Sequence, residues 1–202
     1  ITSGLGYNGA TNTITYTAGD GKLPEGLIRV VVNVEDLTGN KAATNWRFFH
    51  DSIAPVAEMT APSKYATVRK PTITIAVTED GSGLNQTTAA FKFGKVGSLS
   101  SATGKWTGNV WTYTPSAELE EGQEYEVEMT GLKDKAGNDA VCKDTPWKFT
   151  VDTVKPTITG EGPTGWIKTA LPMPTIGATL ADPLVGSGID DKTITMTING
   201  VA

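Results

Sequence analysis

The chain repeats itself out of phase with its own ends. "DSIAPVAEMTAP" (51–62) matches "DTVKPTITGEGP" (152–163) at an offset of 101. "PTITIAVTEDGSGL" (71–84) matches "PTIGATLADPLVGSGI" (174–189), which carries two extra residues, and from Gly81 onward the offset is 105. It holds through "TAAFKF" (88–93) and "TITMTI" (193–198). If Ile1 is set after Ala202, the same offset carries "NVWTYT" (109–114) onto "NTITYT" (12–17) without a gap. "LEEG" (119–122) then meets "LPEG" (23–26), and "DKAGN" (134–138) meets "DLTGN" (36–40). One whole repeat therefore occupies 53–153. Residues 1–52 are the C-terminal half of another, and 154–202 the N-terminal half of one.

Within the whole repeat the apolar residues alternate in short runs broken by turns, the pattern of half-buried strands. Ile73, Ile75 and Val77 share one face, as do Phe91 with Phe93 and Trp111 with Tyr113. Tyr125, Val127 and Met129 point inward with glutamates between them, and Trp147, Phe149 and Val151 form the last such set. In the first half-repeat, "IRVVVNV" repeats the alternation with Ile28, Val30, Val32 and Val34, followed by Trp46 and Phe48. The offset changes from 97 at Val127/Val30 to 98 at Asp134/Asp36, so one extra residue lies near Thr130-Gly131, where a β-bulge is expected. About seven short strands per ~100 residues predict an all-β fold of tandem immunoglobulin-like sandwiches.

Four motifs strengthen this. They are "D-x-x-G-N" before the last strand, "L-x-E-G" before the strand preceding it, "SG-[LI]" after the second strand, and "D-x-x-x-P" between repeats. With them the chain resembles the bacterial Ig-like repeats of extracellular proteins. The resemblance covers both repeats and implies a stalk, spacer or adhesive segment.

Composition narrows the function. The net charge of −5 leaves no basic footprint for nucleic acid, and no apolar run approaches a membrane span. Cys142 and His50 are the only residues of their kinds, which excludes an internal disulfide and a Cys/His zinc site. His50 reads as a strand residue and Cys142 as a lone thiol. No nucleophile stands beside a base, so catalysis is not expected. No leader is visible at Ile1, so the chain reads as mature or as an excised segment.

Two kinds of site are candidates. The Asp–Gly–Asn turns are tight turns by chemistry, but their carboxylates also suit a calcium ion, which takes oxygen ligands. The donors would be Asp36 and Asp134 in the turns, Asp51 and Asp152 at the junctions, and Asp80 and Asp182 beside the "GSG" loops. No loop has the dense spacing of a one-loop calcium motif, so any site must be assembled from separate loops. Trp106 and Trp166 lie in turn-like surroundings and could stack on surface glycans.

Half a sandwich leaves its inner face in water. Val30, Val32, Val34, Trp46 and Phe48 on one half, and Ile176, Met196 and Ile198 on the other, call for a partner. The halves can meet between repeats of a longer protein, between copies joined head to tail, or within one chain. The expected function is a non-enzymatic, extracellular rod at the cell surface, a stalk or filament for adhesion or surface assembly, whose partner is itself. The alternative is a carbohydrate-binding or spacer module of a larger secreted enzyme.

Overall fold

The computed structural model describes residues 4–19, 23–168, 174–182 and 187–199. Among them there is no α-helix, and no helix is long and apolar enough to cross a membrane. In chain order the strands are β1 (Leu5–Asn8), β2 (Thr13–Tyr16), β3 (Gly26–Glu35), β4 (Lys41–His50), β5 (Val56–Ala61), β6 (Tyr65–Ala66), β7 (Ile73–Thr78), β8 (Leu84–Asn85) and β9 (Ala90–Lys95). They continue with β10 (Ser98–Ser101), β11 (Lys105–Thr107), β12 (Val110–Tyr113), β13 (Glu124–Thr130), β14 (Lys133–Asp134), β15 (Val141–Cys142), β16 (Trp147–Val151), β17 (Thr157–Gly162) and β18 (Gly177–Ala181). Short 3-10 turns cover Gln86–Thr88 and Asp191–Thr193. The chain forms two compact units interleaved in sequence. One takes 1–56, 78–89 and 131–141, and the other takes 57–77, 90–130 and 142–202.

The second unit carries nearly all of two five-stranded sheets, ordered β10-β9-β13-β16-β6 and β11-β12-β7-β5-β15. All observed pairings in the first are antiparallel except β16 with β6, which is parallel. The alternation read in the sequence is the alternation of burial. Ile73, Ile75, Val77, Phe91, Phe93, Trp111, Tyr125, Val127, Met129, Trp147, Phe149 and Val151 are all buried. Phe91 stacks on Trp111 with ring centroids 3.9 Å apart, and Phe93 stacks on Tyr125 at 5.5 Å. The Trp147 indole donates to the Lys143 carbonyl at 2.6 Å, so the buried ring keeps its one polar atom bonded. The outward glutamates meet lysines across the ladder: Lys92 pairs with Glu128 at 2.9 Å and Lys148 with Glu126 at 3.8 Å. The same unit holds the hairpin β17–β18.

The first unit holds the hairpins β1–β2 and β3–β4 and the short ladder β8–β14. The β3–β4 hairpin has the register of the β13–β16 pair. Val30 lies opposite Trp46 as Val127 lies opposite Trp147, and Ile28 opposite Phe48 as Tyr125 opposite Phe149. The two copies differ in cover. Trp46 and Phe48 are 50 % and 40 % exposed, against 3 % and 1 % for Trp147 and Phe149. Val30 and Val32 are half-buried, Val34 is exposed, and so are Ile176, Met196 and Ile198.

The added residue near 130 is not a bulge in the ladder. β13 pairs with β9 without a break as far as Thr130, opposite Ala90. Gly131 follows at φ +73°, and a Cβ there would lie 2.8 Å from the Thr88 carbonyl oxygen. The extra residue is thus a left-handed step where the chain leaves β13, a conformation that suits glycine. Beyond it Leu132 takes the place aligned with Val34 and is fully buried.

Candidate functional site

Three carboxylates meet in the first unit, at the end of β4, the end of β7 and the start of the Asp134 turn. Asp51, Glu79 and Asp134 each offer an oxygen, and these oxygens lie within 4.8 Å of one another. Each is placed by local chemistry. The Asp134 Oδ1 accepts from the Gly137 and Asn138 amides at 2.6 and 2.8 Å, and its Oδ2 accepts from Asn138 Nδ2 at 2.7 Å. Asp134 is 1 % exposed, and these bonds supply the partners that a buried carboxylate needs. Asn138 Nδ2 also donates to the Asp51 carbonyl at 3.1 Å, tying the turn to the junction.

Asp51 accepts from the Ser82 amide at 2.7 Å and from the Ile53 amide at 3.1 Å. The Ser82 side chain first, and then its amide, hold the Asp51 carboxyl below the usual aspartate range. The close approach needs Gly81, where any Cβ would fall within 2.9 Å of the Asp51 carboxylate. Glu79 is the strained member. Its Oε1 accepts from the Gly83 amide at 3.1 Å, but its Oε2 is buried with no hydrogen-bond partner. Burial first, and then the charges of Asp51, Asp134 and Asp80, push its pKa up. Among the described residues no lysine or arginine forms an ion pair with any of the three. The donors are all oxygens of hard, anionic groups, the set a calcium-type ion takes.

The sequence reading placed Asp80 here, but the cluster takes Glu79 and leaves Asp80 exposed outside it. The signal was available: in the repeat alignment Glu79 falls on Asp182, acid on acid, whereas Asp80 falls on Pro183. Asp152 and Asp182 are brought together in the second unit. The Ser187 Oγ lies in hydrogen-bond contact with Asp152 Oδ2 and 3.0 Å from Asp182 Oδ2. Asp152 is 9 % exposed and its Oδ1 is buried without a partner. Asp36 stands in its own exposed turn, where it repeats the Asp134 pattern. Its Oδ1 accepts from the Asn40 amide at 2.8 Å and its Oδ2 from Asn40 Nδ2 at 2.8 Å. Its carboxyl is held far below the usual range, by Asn40 first and then Thr38.

A second repeated feature escaped the sequence reading. The Ser52 amide donates to Glu25 Oε2 at 3.0 Å, and the Ser52 hydroxyl donates to Glu25 Oε1. Thr153 clasps Glu121 in the same way, its amide at 2.8 Å. The glutamate of each "L-x-E-G" thus grips the residue after the junction aspartate.

The remaining candidates separate. Trp106 is half-buried and packs edge-on against Phe91 at 5.9 Å, so it belongs with the core aromatics. Trp166 is fully exposed, and among the described residues no ring contact joins it to Trp106. His50 ends β4 with its Nδ1 3.2 Å from the Pro24 carbonyl oxygen. Cys142 is half-buried, and burial pushes its thiol pKa up, away from reactivity.

Two facing five-stranded sheets, one of them antiparallel but for the parallel pairing of β6 with the last strand β16, define an immunoglobulin-like β-sandwich without its disulfide. The sequence profile of the bacterial Ig-like domain matches residues 51–151, and the chain belongs to that family. A crystal structure of the N-terminal part of the bacterial S-layer protein SbsC is similar at 22 % identity and a TM-score of 0.35, over 54 % of this chain. The match spans 26 % of that protein's chain. No curated protein matches the sequence.

Proposed function

We propose that this chain is a non-enzymatic structural segment of a bacterial surface rod, in which residues 154–202 of one unit and 1–52 of the next, whether the next chain or the next repeat of a longer one, are two halves of one Ig-like domain, joined end to end. The observation that carries the reading is that the halves expose the positions the complete domain buries. Met196 and Ile198 align with Phe91 and Phe93. They are 55 % and 53 % exposed, against 7 % and 8 %. Ile14 and Ile176 align with Trp111 and Ile73 and are about half exposed, against 2 % and 0 %.

The complete domain supplies the register of the join. Phe93 lies opposite Val127, and Phe91 opposite Met129. By alignment Ile198 should lie opposite Val30 of the next copy, and Met196 opposite its Val32. Tyr65 lies beside Thr150 in the parallel pair, so Trp166 should lie beside Phe49 of the next copy. That accounts for its exposure without a glycan. Fully burying each aliphatic contributes roughly 1.5–3 kcal/mol, and backbone pairing along the free edge of β3 adds direction. Contact between unlike ends of identical copies gives an open filament wherever the rotation between copies does not close a ring.

The test is oxidative cross-linking of the chain carrying Cys142→Ser, Val30→Cys and Ile198→Cys. The expected result is a ladder of covalent multimers, absent when Val31→Cys, on the opposite face, replaces Val30→Cys. A fast-migrating cross-linked monomer would mean that the halves close within one chain. No cross-link at all would overturn the register.

A further inference from the structure

The β3–β4 hairpin departs from its counterpart on the face that the complete domain turns to solvent. In the complete domain that face is a charged ladder. Glu124, Glu126 and Glu128 alternate along β13 with the buried residues. Glu126 stands opposite Lys148, and Glu128 pairs with Lys92 at 2.9 Å. The repeat alignment sets Leu27, Arg29 and Val31 at the three glutamates, and Arg47 and Phe49 at Lys148 and Thr150. The register is kept, so Arg29 stands opposite Arg47 and Leu27 opposite Phe49. Acids and a lysine in one copy of the unit are replaced by two arginines and three apolar side chains in the other.

Such a face calls for cover. Leu27 is 62 % exposed, Val31 51 % and Phe49 53 %. Completing the sandwich would not bury them, because the aligned glutamates stay exposed or half-buried on the outside of the complete domain. Like charges directly opposite on a ladder, roughly 5 Å apart at Cβ, repel. Among the described residues no acid forms an ion pair with Arg29 or Arg47. Apolar side chains grouped around charge mark an interaction surface, and guanidinium groups take carboxylates by paired hydrogen bonds.

The chain itself carries the complementary surface. On the β13 ladder Glu124 forms no ion pair among the described residues, and the lysines on Glu126 and Glu128 are held only by exposed or half-exposed pairs, which contribute little. We propose that the outer face of β3–β4 docks laterally on the glutamate ladder of β13 in a second copy of the chain, with Arg29 and Arg47 on Glu124 and Glu126. This contact does not rest on the end-to-end join, which uses the inner faces. Two ten-residue strands present a face of roughly 35 by 10 Å. That falls short of the ~1,200 Å² in total that a stable interface buries. One contact is therefore weak, and copies aligned side by side strengthen it by repetition.

The experiment is sedimentation and light scattering of the full chain at low salt and in about 1 M salt, where the screening length is about 3 Å. The lateral association should be lost in high salt. Arg29→Glu with Arg47→Glu should weaken it about tenfold at low salt, and so should Glu124→Lys with Glu126→Lys. An equal mixture of the two reversed chains should regain it, because each offers the charge the other lacks. A mixture that stays dissociated overturns the docking. Loss in the arginine variant alone, with the glutamate variant unchanged, assigns the face to another occupant and overturns the second copy. Association that ignores salt and both reversals but is abolished by Ile198→Asp overturns the lateral contact and leaves the end-to-end join standing. A chain that is monomeric under every condition overturns both. Should a reversed chain fail to fold, Arg29→Ala with Arg47→Ala adds no charge and should weaken the association in the same direction.

Discussion

Truncation of Ile198 to alanine tests the proposed join at a position whose aligned residue, Phe93, is buried. In the free chain Ile198 is 53 % exposed, while its aligned residue in the complete domain, Phe93, is 8 % exposed and stacks on Tyr125 and Phe149. Truncating a buried aliphatic to alanine costs about 2–5 kcal/mol. Roughly half of the Ile198 side chain is already covered before association, so about 1–2 kcal/mol should fall on the association step. That is roughly a 5- to 30-fold weaker Kd, read from a concentration series by sedimentation. Leu37→Ala is the control. Leu37 is 108 % exposed, more than Ile198, but it aligns with Lys135, which is exposed in the complete domain. Its truncation should leave Kd unchanged. If both substitutions weaken association equally, the contacts are general apolar adhesion. If neither does, Ile198 is not in a core, and the half-domain argument fails.

Gly131→Ala forces a side chain into a left-handed residue and against the Thr88 carbonyl oxygen; it should lower stability by about 1–3 kcal/mol in denaturant titration. Asn138→Ala removes bonds to Asp134 and to the Asp51 carbonyl, whereas Asn40→Ala removes bonds only within its exposed turn. The first should cost roughly 1–3 kcal/mol and the second less, compared by thermal melting. The Glu25 and Glu121 carboxyls are held below their usual value of 4.5 by Ser52 and Thr153. A carboxylate depressed in the folded state stabilises above its unfolded pKa, and that contribution is lost as pH falls through the folded pKa. Ser52→Ala and Thr153→Ala should therefore lower stability at pH 7 and flatten its decline in acid. Glu79 is shifted the other way, by burial first; its ionised form opposes folding at neutral pH, and Glu79→Gln should raise the melting temperature measured in chelator.

The strands were legible because alternation is a local property. A residue's parity along "EYEVEMT" or "PTITIAV" sets which face it takes, and burial in β13 and β7 follows that parity. The Asp–Gly–Asn turns were legible for the same reason, since the aspartate bonds amides only two to four residues on. The bulge near Thr130 was misplaced because the offset counts residues but not φ angles; only the course of the chain put the extra residue at Gly131, outside the ladder.

The site was legible in part. The sequence by itself determined the alternating strands, the Ig-like class and the alignment of Asp51, Glu79 and Asp134 with Asp152, Asp182 and Asp36. The choice between neighbours was left to the tertiary structure. Glu79 and Asp80 are adjacent acids at a strand end. Which of them turns in depends on where β7 stops and how the "GSG" loop folds back on Asp51. Trp106 and Trp166 look alike in sequence, yet Phe91 covers one and nothing in the described chain covers the other to any degree. Covalent neighbours set a residue's local conformation, but burial is set by elements distant in the chain. Burial is what gives the unpartnered oxygens of Glu79 and Asp152 their electrostatic cost.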